Sequence, residues 1–353
     1  MPNLYKTDYA KGFDDVMLVP QYNIIPSRLD VDLRTRLTRN HSIAHPICST
    51  NMSTVTEVMM LQVMHQMGTV GFLHRFMPTE RILDITKTAL VSGIHPLAIS
   101  VGVKDEAYEF LTQMWEADLH PDIILVDIAH GDSCFVEAVI KFIKMNDPNI
   151  DVIAGNVATA EGALHLVYAG ADAVRVGIGG SMVCTTRQVT GHGVPTLQSI
   201  QDVKETFVAR GIDVPIVGDG GFKTSGDIVK ALAFGAETVT LGTLLAATSC
   251  APGKPEERPA GMPVSRNYHK RVHGMSSKEA QDIHKGGLRE GIAPEGIEIM
   301  LPYKGETSKV IEQLCGGIRS GMTYSGVRTI KDLYDHALVY FLTPGAQRES
   351  YVR

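Results

Sequence analysis

Eight short apolar runs rich in β-branched residues recur along this chain, and their number and spacing restrict its fold more than any other feature. They occupy residues 46–49, 69–74, 97–101, 123–128, 152–155, 173–176, 215–217 and 238–241. Helical patterns lie between most of them, as at 56–67, 107–117, 132–145, 160–169, 198–210 and 225–235. Eight β–α alternations of this size predict a parallel (β/α)8 TIM barrel. A doubly wound open sheet is the alternative. The 353 residues would make one barrel domain with additions.

The additions follow the eighth run. Residues 252–301 are rich in Gly, Pro and charge and show little periodicity, which predicts a long flap or a loop without regular structure at the catalytic end. Residues 307–340 read as helix, turn, helix, with Cys315-Gly-Gly-Ile-Arg-Ser-Gly-Met-Thr-Tyr324 as a tight packing turn.

Polar and glycine residues cluster where the strands end, and in a barrel these ends converge on one face. The sixth run leads into Arg175-Val-Gly-Ile-Gly-Gly-Ser-Met-Val-Cys-Thr-Thr-Arg187. Glycines let backbone approach an anion closely, and a cysteine just past such a turn, near a helix start, can be a nucleophile. The plain alternative is a buried cysteine after an ordinary turn. The seventh and eighth runs end in Gly218-Asp-Gly-Gly221 and Gly242-Thr243, where barrels commonly grip phosphate. Asp219 has the two acceptor oxygens to hold a ribose diol, or it caps the next helix. Asp127, His130 and Asn156 form a second polar group that can orient a carboxamide or a sugar, and turn and capping roles account for His130 and Asn156 equally well. On the flap, Glu295 is a general acid or base if closure buries it, and a solvated glutamate otherwise. The run Gly177 to Gly180 lacks dinucleotide spacing.

Composition excludes several classes. With 44% hydrophobic and 20% charged residues the chain is ordinary globular protein. With a net charge of −6, no broad basic balance calls for nucleic acid or an acidic membrane, although local basic residues can still hold a phosphate. Cys48, Cys134, Cys184, Cys250 and Cys315 form no CxxC pair, so reduced thiols in the cytoplasm fit better than a disulfide framework or a zinc ribbon. No signal core or membrane-length apolar run is present.

These residues resemble the IMP dehydrogenase and GMP reductase family along nearly the whole chain. The matching pieces are Gly12-Phe-Asp-Asp-Val-Met-Leu-Val-Pro20, Asp127-Ile-Ala-His-Gly131, Ala154-Gly-Asn-Val157, Gly177 to Arg187, Gly218-Asp-Gly-Gly221, Gly274-Met-Ser-Ser277 and Pro302-Tyr-Lys-Gly305. The resemblance implies a (β/α)8 barrel, a homotetramer and chemistry at C2 of a purine nucleotide, with Cys184 as the nucleophile of a covalent purine intermediate. Dehydrogenases of the family usually carry a CBS pair inserted near the second strand, and this chain leaves no room for one there. It places Ser181, Asp219, Gly220, Gly221, Gly242, Thr243, Met275, Ser276 and Gly296 on the nucleotide, and Arg75, Asp127 and Asn156 on the nicotinamide side. Carbonyls of Gly177, Gly179 and Cys184 would bind potassium, with the Glu349-Ser350 tail of a neighbour completing that site.

The flap divides the family. IMP dehydrogenases activate water with an Arg-Tyr pair on the flap, whereas this flap has Arg289 without an adjacent tyrosine. Gly274-Met-Ser-Ser277 followed by His284-Lys-Gly-Gly287 looks like GMP reductase, and Thr186 and Glu295 match the pair that handles departing ammonia. The resemblance therefore implies NADPH-dependent reductive deamination of GMP to IMP. Met52-Ser-Thr-Val-Thr-Glu57, Gly316-Gly-Ile-Arg-Ser-Gly-Met322 and Arg348-Glu349-Ser350 are closer to the dehydrogenase pattern, which converts IMP to XMP with NAD. A non-catalytic purine-nucleotide binder is the third reading. Two departures from both branches stand out: the phosphate turn reads Gly179-Gly180-Ser181-Met182, and Val272-His273 replaces a tyrosine that often reaches phosphate.

Overall fold

Eight strands form one parallel sheet: β1 (Ile47–Ser49), β2 (Phe72–Leu73), β3 (Ala98–Val101), β4 (Ile123–Asp127), β5 (Asp151–Val157), β6 (Ala173–Val176), β7 (Ile216–Asp219) and β8 (Thr238–Leu241). The hydrogen-bonded order is β1-β8-β7-β6-β5-β4-β3-β2. The sheet closes where the Ser49 N–H donates to the Val70 carbonyl at 3.2 Å and Ser49 pairs with Gly71. The expected (β/α)8 barrel is thus the fold of this computed structural model, which describes residues 9–257 and 268–349.

Successive strand side chains face opposite sides of the sheet. Cys48, Phe72, Ala98, Ile123, Leu125, Ile153, Ala173 and Val217 meet in one buried cluster inside the barrel. Their neighbours Ile47, Leu73, Ile99, Ile124, Val152, Val174 and Ile216 pack outward in a second cluster with the helices. The hairpin of Thr35–Arg36 and Ser42–Ile43 adds Leu37 and Ile43 to the inner cluster and so plugs the end where the strands begin. At the other end the inward rows continue into Asp127, Arg175, Asp219 and Thr240.

The outer helices form for local reasons. In Cys134–Asn146, Val136, Val139, Ile140 and Ile143 recur at helical spacing and are buried, and the Ser133 hydroxyl caps the first turn. Ser225–Ala233 starts with a capping box of Thr224 and Asp227. Thr79–Val91 is a helix the sequence reading did not single out, although Ile82, Ile85 and Ala89 recur on one helical face and are buried.

Two expectations need correction. The glycine-rich segment around Gly316 is no turn; it lies inside the 18-residue helix Thr307–Tyr324. A Cβ on Gly317 would stand 2.1 Å from Ser225 Oγ, and one on Gly321 2.8 Å from Val229. The glycines let this helix approach Ser225–Ala233 closely, and burial of Ile311, Cys315, Ile318 and Met322 offsets their poor helix propensity. The flap is also more regular than expected. Glu256–Glu257, Tyr268–His273 and Glu298–Pro302 form an antiparallel ribbon, and Lys278–Lys285 is a helix. Residues 258–267 lie outside the described part. The ribbon buries polar groups, so no apolar period marks it: Lys270 Nζ donates to the carbonyls of Thr248 at 3.1 Å and Ala251 at 2.6 Å. Burial pushes the Lys270 pKa down to about 8.

Val339–Phe341 pairs antiparallel with Val16–Leu18, joining the two ends of the described chain. Among the described residues, no helix is long and apolar enough to cross a membrane.

Candidate active site

Arg175 is the centre of the polar layer. It sits in phase with inward Ala173 on β6, so the strand period drives its guanidinium into the barrel mouth. It is 4% exposed. Its Nη1 donates to Asp127 at 3.0 Å and Asn51 Oδ1 at 2.7 Å; its Nη2 donates to Thr50 Oγ1 at 2.6 Å and lies 3.2 Å from Asp219. Burial opposes the charge on Arg175, but Asp219 and Asp127 outweigh it and hold the pKa above the ordinary arginine value. Asp219 also accepts from Asn156 Nδ2 at 2.6 Å and from Thr240 at 2.5 Å. It does not cap the following helix; Thr224 does.

The expected nucleotide and nicotinamide sides are therefore one network, with Asn156 joining Asp219 to the Gly177 carbonyl at 2.7 Å. Both amide hydrogens of Asn156 are committed there, which leaves its oxygen for a ligand. His130 does not belong to the group: it is exposed and does not line the cavity, because β4 ends at Asp127 and the chain has turned outward by residue 130.

The cysteine loop is held by close backbone contact. A Cβ on Gly177 would lie 2.1 Å from the Asp219 carbonyl oxygen, and Gly177 has φ 140°. Arg187 clamps the same loop, its Nη2 donating to Ile178 O at 3.1 Å and Val194 O at 2.7 Å. This seats Cys184 two residues before the short helix Thr186–Thr190. The Cys184 thiol donates to Thr186 Oγ1 at 3.2 Å, and the Thr186 hydroxyl donates to Glu295 Oε2 at 2.8 Å. Glu295 arrives from the flap, fixed by its N–H on Ser276 O at 2.9 Å and its carbonyl on Thr185 N at 3.0 Å. Thiol, hydroxyl and carboxylate thus stand in series. Two other cysteines are inert by contrast, since burial pushes Cys48 up to about 12 and Cys315 to about 11.

A cavity of about 270 Å³ opens beside the thiol. Cys184, Thr186 and Glu295 line it, as do Ser181, Asp219, Gly220, Gly221, Gly242, Thr243, Met275 and Ser276. Arg75, Asp127, Asn156, Gly177 and Gly179 line it too. Gly296 lies behind the wall, bridged to Cys184 and Ser277. Ser181 turns its hydroxyl toward the Val183 N–H at 3.4 Å, and Met182 is exposed. A second cavity of about 520 Å³ adjoins the first, sharing Arg75, Ile128 and Gln281. The buried Nε of Arg75 and Oγ of Ser100 have no hydrogen-bond partner there among the described residues.

Reading the sequence by its strand ends gave no role to Arg175, Asn51, Thr50 or the clamp Arg187. The signal for Arg175 was present: a charge in the middle of a buried strand almost always has partners.

A closed barrel that sets a thiol, a hydroxyl and a carboxylate in line beside a cavity at the C-terminal ends of its strands defines the class: a barrel with its candidate reactive groups where such folds carry their sites. The chain belongs to the IMP dehydrogenase / GMP reductase family, whose domain model matches residues 10–353. It is 46% identical over 254 residues to inosine-5'-monophosphate dehydrogenase of Aquifex aeolicus, a match covering 72% of this chain and 51% of that protein. It is 33% identical over 330 residues to GMP reductase of Shewanella pealeana, covering 92% and 93% of the two chains. The crystal structure of a GMP reductase from Trypanosoma brucei in complex with guanosine 5'-monophosphate superimposes with a TM-score of 0.86 at 26% identity, covering 98% of each chain. The family is one of purine-nucleotide oxidoreductases.

Proposed function

We propose that this protein is an NADPH-dependent GMP reductase that converts GMP to IMP and ammonia. The observation that carries the reading is the Cys184–Thr186–Glu295 series in a cavity that no tyrosine lines among the described residues. Arg289 faces the second cavity instead. An amine leaving group needs a proton, and the series can deliver one; water activation by an Arg-Tyr pair has no candidate beside the thiol.

Asp219 and the glycine turns of β7 and β8 would hold ribose and phosphate, and Met275 and Ser276 the base. Cys184 Sγ bonds to C2 while its proton passes through Thr186 to Glu295. Glu295 returns a proton through Thr186 to the amine, which leaves as ammonia when the C2–N bond breaks. A reduced nicotinamide fits the second cavity, where Arg75 Nε and Ser100 Oγ lack partners, and when bound it supplies the hydride that C2 requires. C2 keeps that hydride, the C2–S bond breaks with its electron pair returning to Cys184, and IMP is released.

Glu295→Gln is expected to lower kcat about 10²–10⁴-fold while KM for GMP changes little, because general acid–base assistance acts in the transition state. Steady-state kinetics of NADPH oxidation measures both, and an equal loss in KM would remove Glu295 from the proton path.

Potassium belongs to the same reading. The Gly177 carbonyl already accepts from Asn156, yet a carbonyl has two lone pairs and can also face a cation with Gly179 and Cys184. Turnover should fall when potassium is replaced by lithium or tetramethylammonium; unchanged turnover would dismiss the ion. Glu349 ends the helix Pro344–Glu349, and Ser350 lies outside the described residues.

The second reading is IMP dehydrogenase, favoured by the Aquifex relative and by Met52-Ser-Thr-Val-Thr-Glu57. Absorbance assays of GMP with NADPH and of IMP with NAD decide between them. Binding of GMP with neither turnover would leave the non-catalytic binder. A homotetramer is part of the proposal, supported by exposed Met17, Tyr22, Leu338 and Tyr340 around the terminal ribbon, and light scattering tests it. Free cysteines fit a cytoplasmic setting.

A further inference from the structure

Two imidazoles of the flap meet one hydroxyl of the barrel. His273, at the end of the strand Tyr268–His273, places Nε2 3.2 Å from Ser53 Oγ, and His284, on the helix Lys278–Lys285, places Nε2 3.1 Å from the same atom. Ser53 stands in the loop after β1. Met275 Sδ lies 3.4 Å from the Ser53 N–H and 3.6 Å from its hydroxyl. Behind them His74 packs with its ring centroid 6.3 Å from that of His284, and Phe76 lies 5.8 Å from His284. Among the described residues, no three His, Cys, Asp or Glu side chains are arranged to hold a metal ion, so ligation does not account for the convergence.

We propose that Ser53, gripped by His273 and His284, is the clasp that seats the flap on the barrel and positions Glu295, and that the clasp holds only while the two imidazoles carry at most one positive charge between them. A hydroxyl has one hydrogen to give and lone pairs to accept with. With neutral rings, Ser53 donates to one Nε2 and accepts from the other. With both rings charged, both nitrogens donate, the Ser53 hydrogen loses its acceptor, and two like charges face each other at a ring separation of 6.5 Å.

Among the described residues, several charges face that pair. On the barrel side, Glu57 lies 3.6 Å from His74 Nε2, and its carboxyl is held below the ordinary range by His74 against desolvation, with Arg81 and His284 adding to the effect. On the flap side, Glu298 is 4.0 Å from His273 Nδ1 but is also engaged by Arg271 at 3.1 Å, and Glu279 acts from the flap helix. Burial nevertheless pushes the His273 pKa down, outweighing Glu298 and Glu279. The closed flap therefore binds fewer protons than the open one. His273 favours closure fully above the ordinary histidine value of about 6.5, and this contribution is lost progressively as pH falls below it through the lowered closed-state value.

The clasp reaches the chemistry through two residues. Met275 follows His273 closely, and the next carbonyl, Ser276 O, accepts the Glu295 N–H at 2.9 Å. Ser53 is thus a positioning residue. This role rests on the reading of Glu295 given above, so the test reads flap closure itself and needs no turnover.

Hydrogen–deuterium exchange of the full chain supplies that readout. After correction for intrinsic exchange, amides of 275–288 in the unaltered protein should exchange about tenfold faster at about pH 5.5 than at about pH 8, while β3 to β6 stay unchanged. Ser53→Ala should show the fast flap at both pH values, and Ser53→Thr should restore protection. The His273→Gln/His284→Gln variant keeps amide donors and acceptors, so it should lose the pH dependence. In assays Ser53→Ala should lower kcat more than it raises KM. Flap exchange in Ser53→Ala equal to that of the unaltered protein would overturn the clasp, and acid-sensitive exchange surviving in the double glutamine variant would overturn its pH response. A failed GMP reductase assay with the expected exchange pattern would instead overturn the activity and leave the clasp standing.

Discussion

Cys184→Ala is expected to abolish turnover, by on the order of 10⁴-fold or more, while GMP binding stays within about threefold. In the proposed reaction the thiol is the atom that bonds to C2, so no neighbouring group replaces it. The grip on the nucleotide comes from elsewhere: Asp219, the turns after β7 and β8, and the flap residues Met275 and Ser276, all of which line the same cavity. Thr186 and Glu295 remain hydrogen-bonded to each other in the variant, so the flap keeps its docking contact. Single-turnover absorbance with NADPH and equilibrium binding of GMP measure the two quantities separately. Near-normal turnover would take the covalent role away from Cys184.

The second large effect is structural. Arg175→Ala is expected to cost about 3 kcal/mol of stability, because removing one partner of a buried ion pair leaves the others uncompensated. Asp127 and Asp219 would face each other across an empty space, and Asn51 and Thr50 would lose the donor they share. The two carboxylates are each 20% exposed, so water softens the loss and the lower end of the usual range applies. A melting temperature lower by on the order of 5 °C is expected, with loss of activity even where the fold survives. Arg175→Lys should not rescue, since one ammonium cannot serve both carboxylates and both neutral acceptors in the forked geometry. A melting temperature within experimental scatter of the unaltered protein would show that the network carries no stability.

The two variants separate roles that the sequence runs together. Cys184 and Arg175 fall in one continuous motif, nine residues apart by number. One belongs to the loop and lines the cavity; the other belongs to the strand and organises the residues around it.

Barrel, strand ends and the thiol were legible because they rest on local rules. Alternating runs with period 2 and helical stretches of period near 3.6 are written into consecutive residues, and eight repetitions leave few architectures. The ordered family motifs added Cys184, Thr186 and Glu295, which the fold brings into line across 109 residues of sequence separation. The helix Thr307–Tyr324 was misread as a turn because glycine's meaning depends on what lies opposite it. Here Ser225 and Val229 lie opposite, on a helix about ninety residues earlier in the chain. The flap ribbon was missed because its buried Lys270 and His273 are held by hydrogen bonds rather than by an apolar stripe.

By itself, then, the sequence determined the barrel and the place of Cys184 just past a glycine turn at a strand end, since each follows from patterns within a few turns of chain. Only the tertiary structure decided that Arg175 ties Asp127 to Asp219, that Asn156 is spent on Gly177 and Asp219, that His130 points away, and that Ser53 receives two flap histidines. Those are contacts between residues far apart in the chain, and a hydrogen bond depends on distance and direction in space, which a linear pattern does not carry.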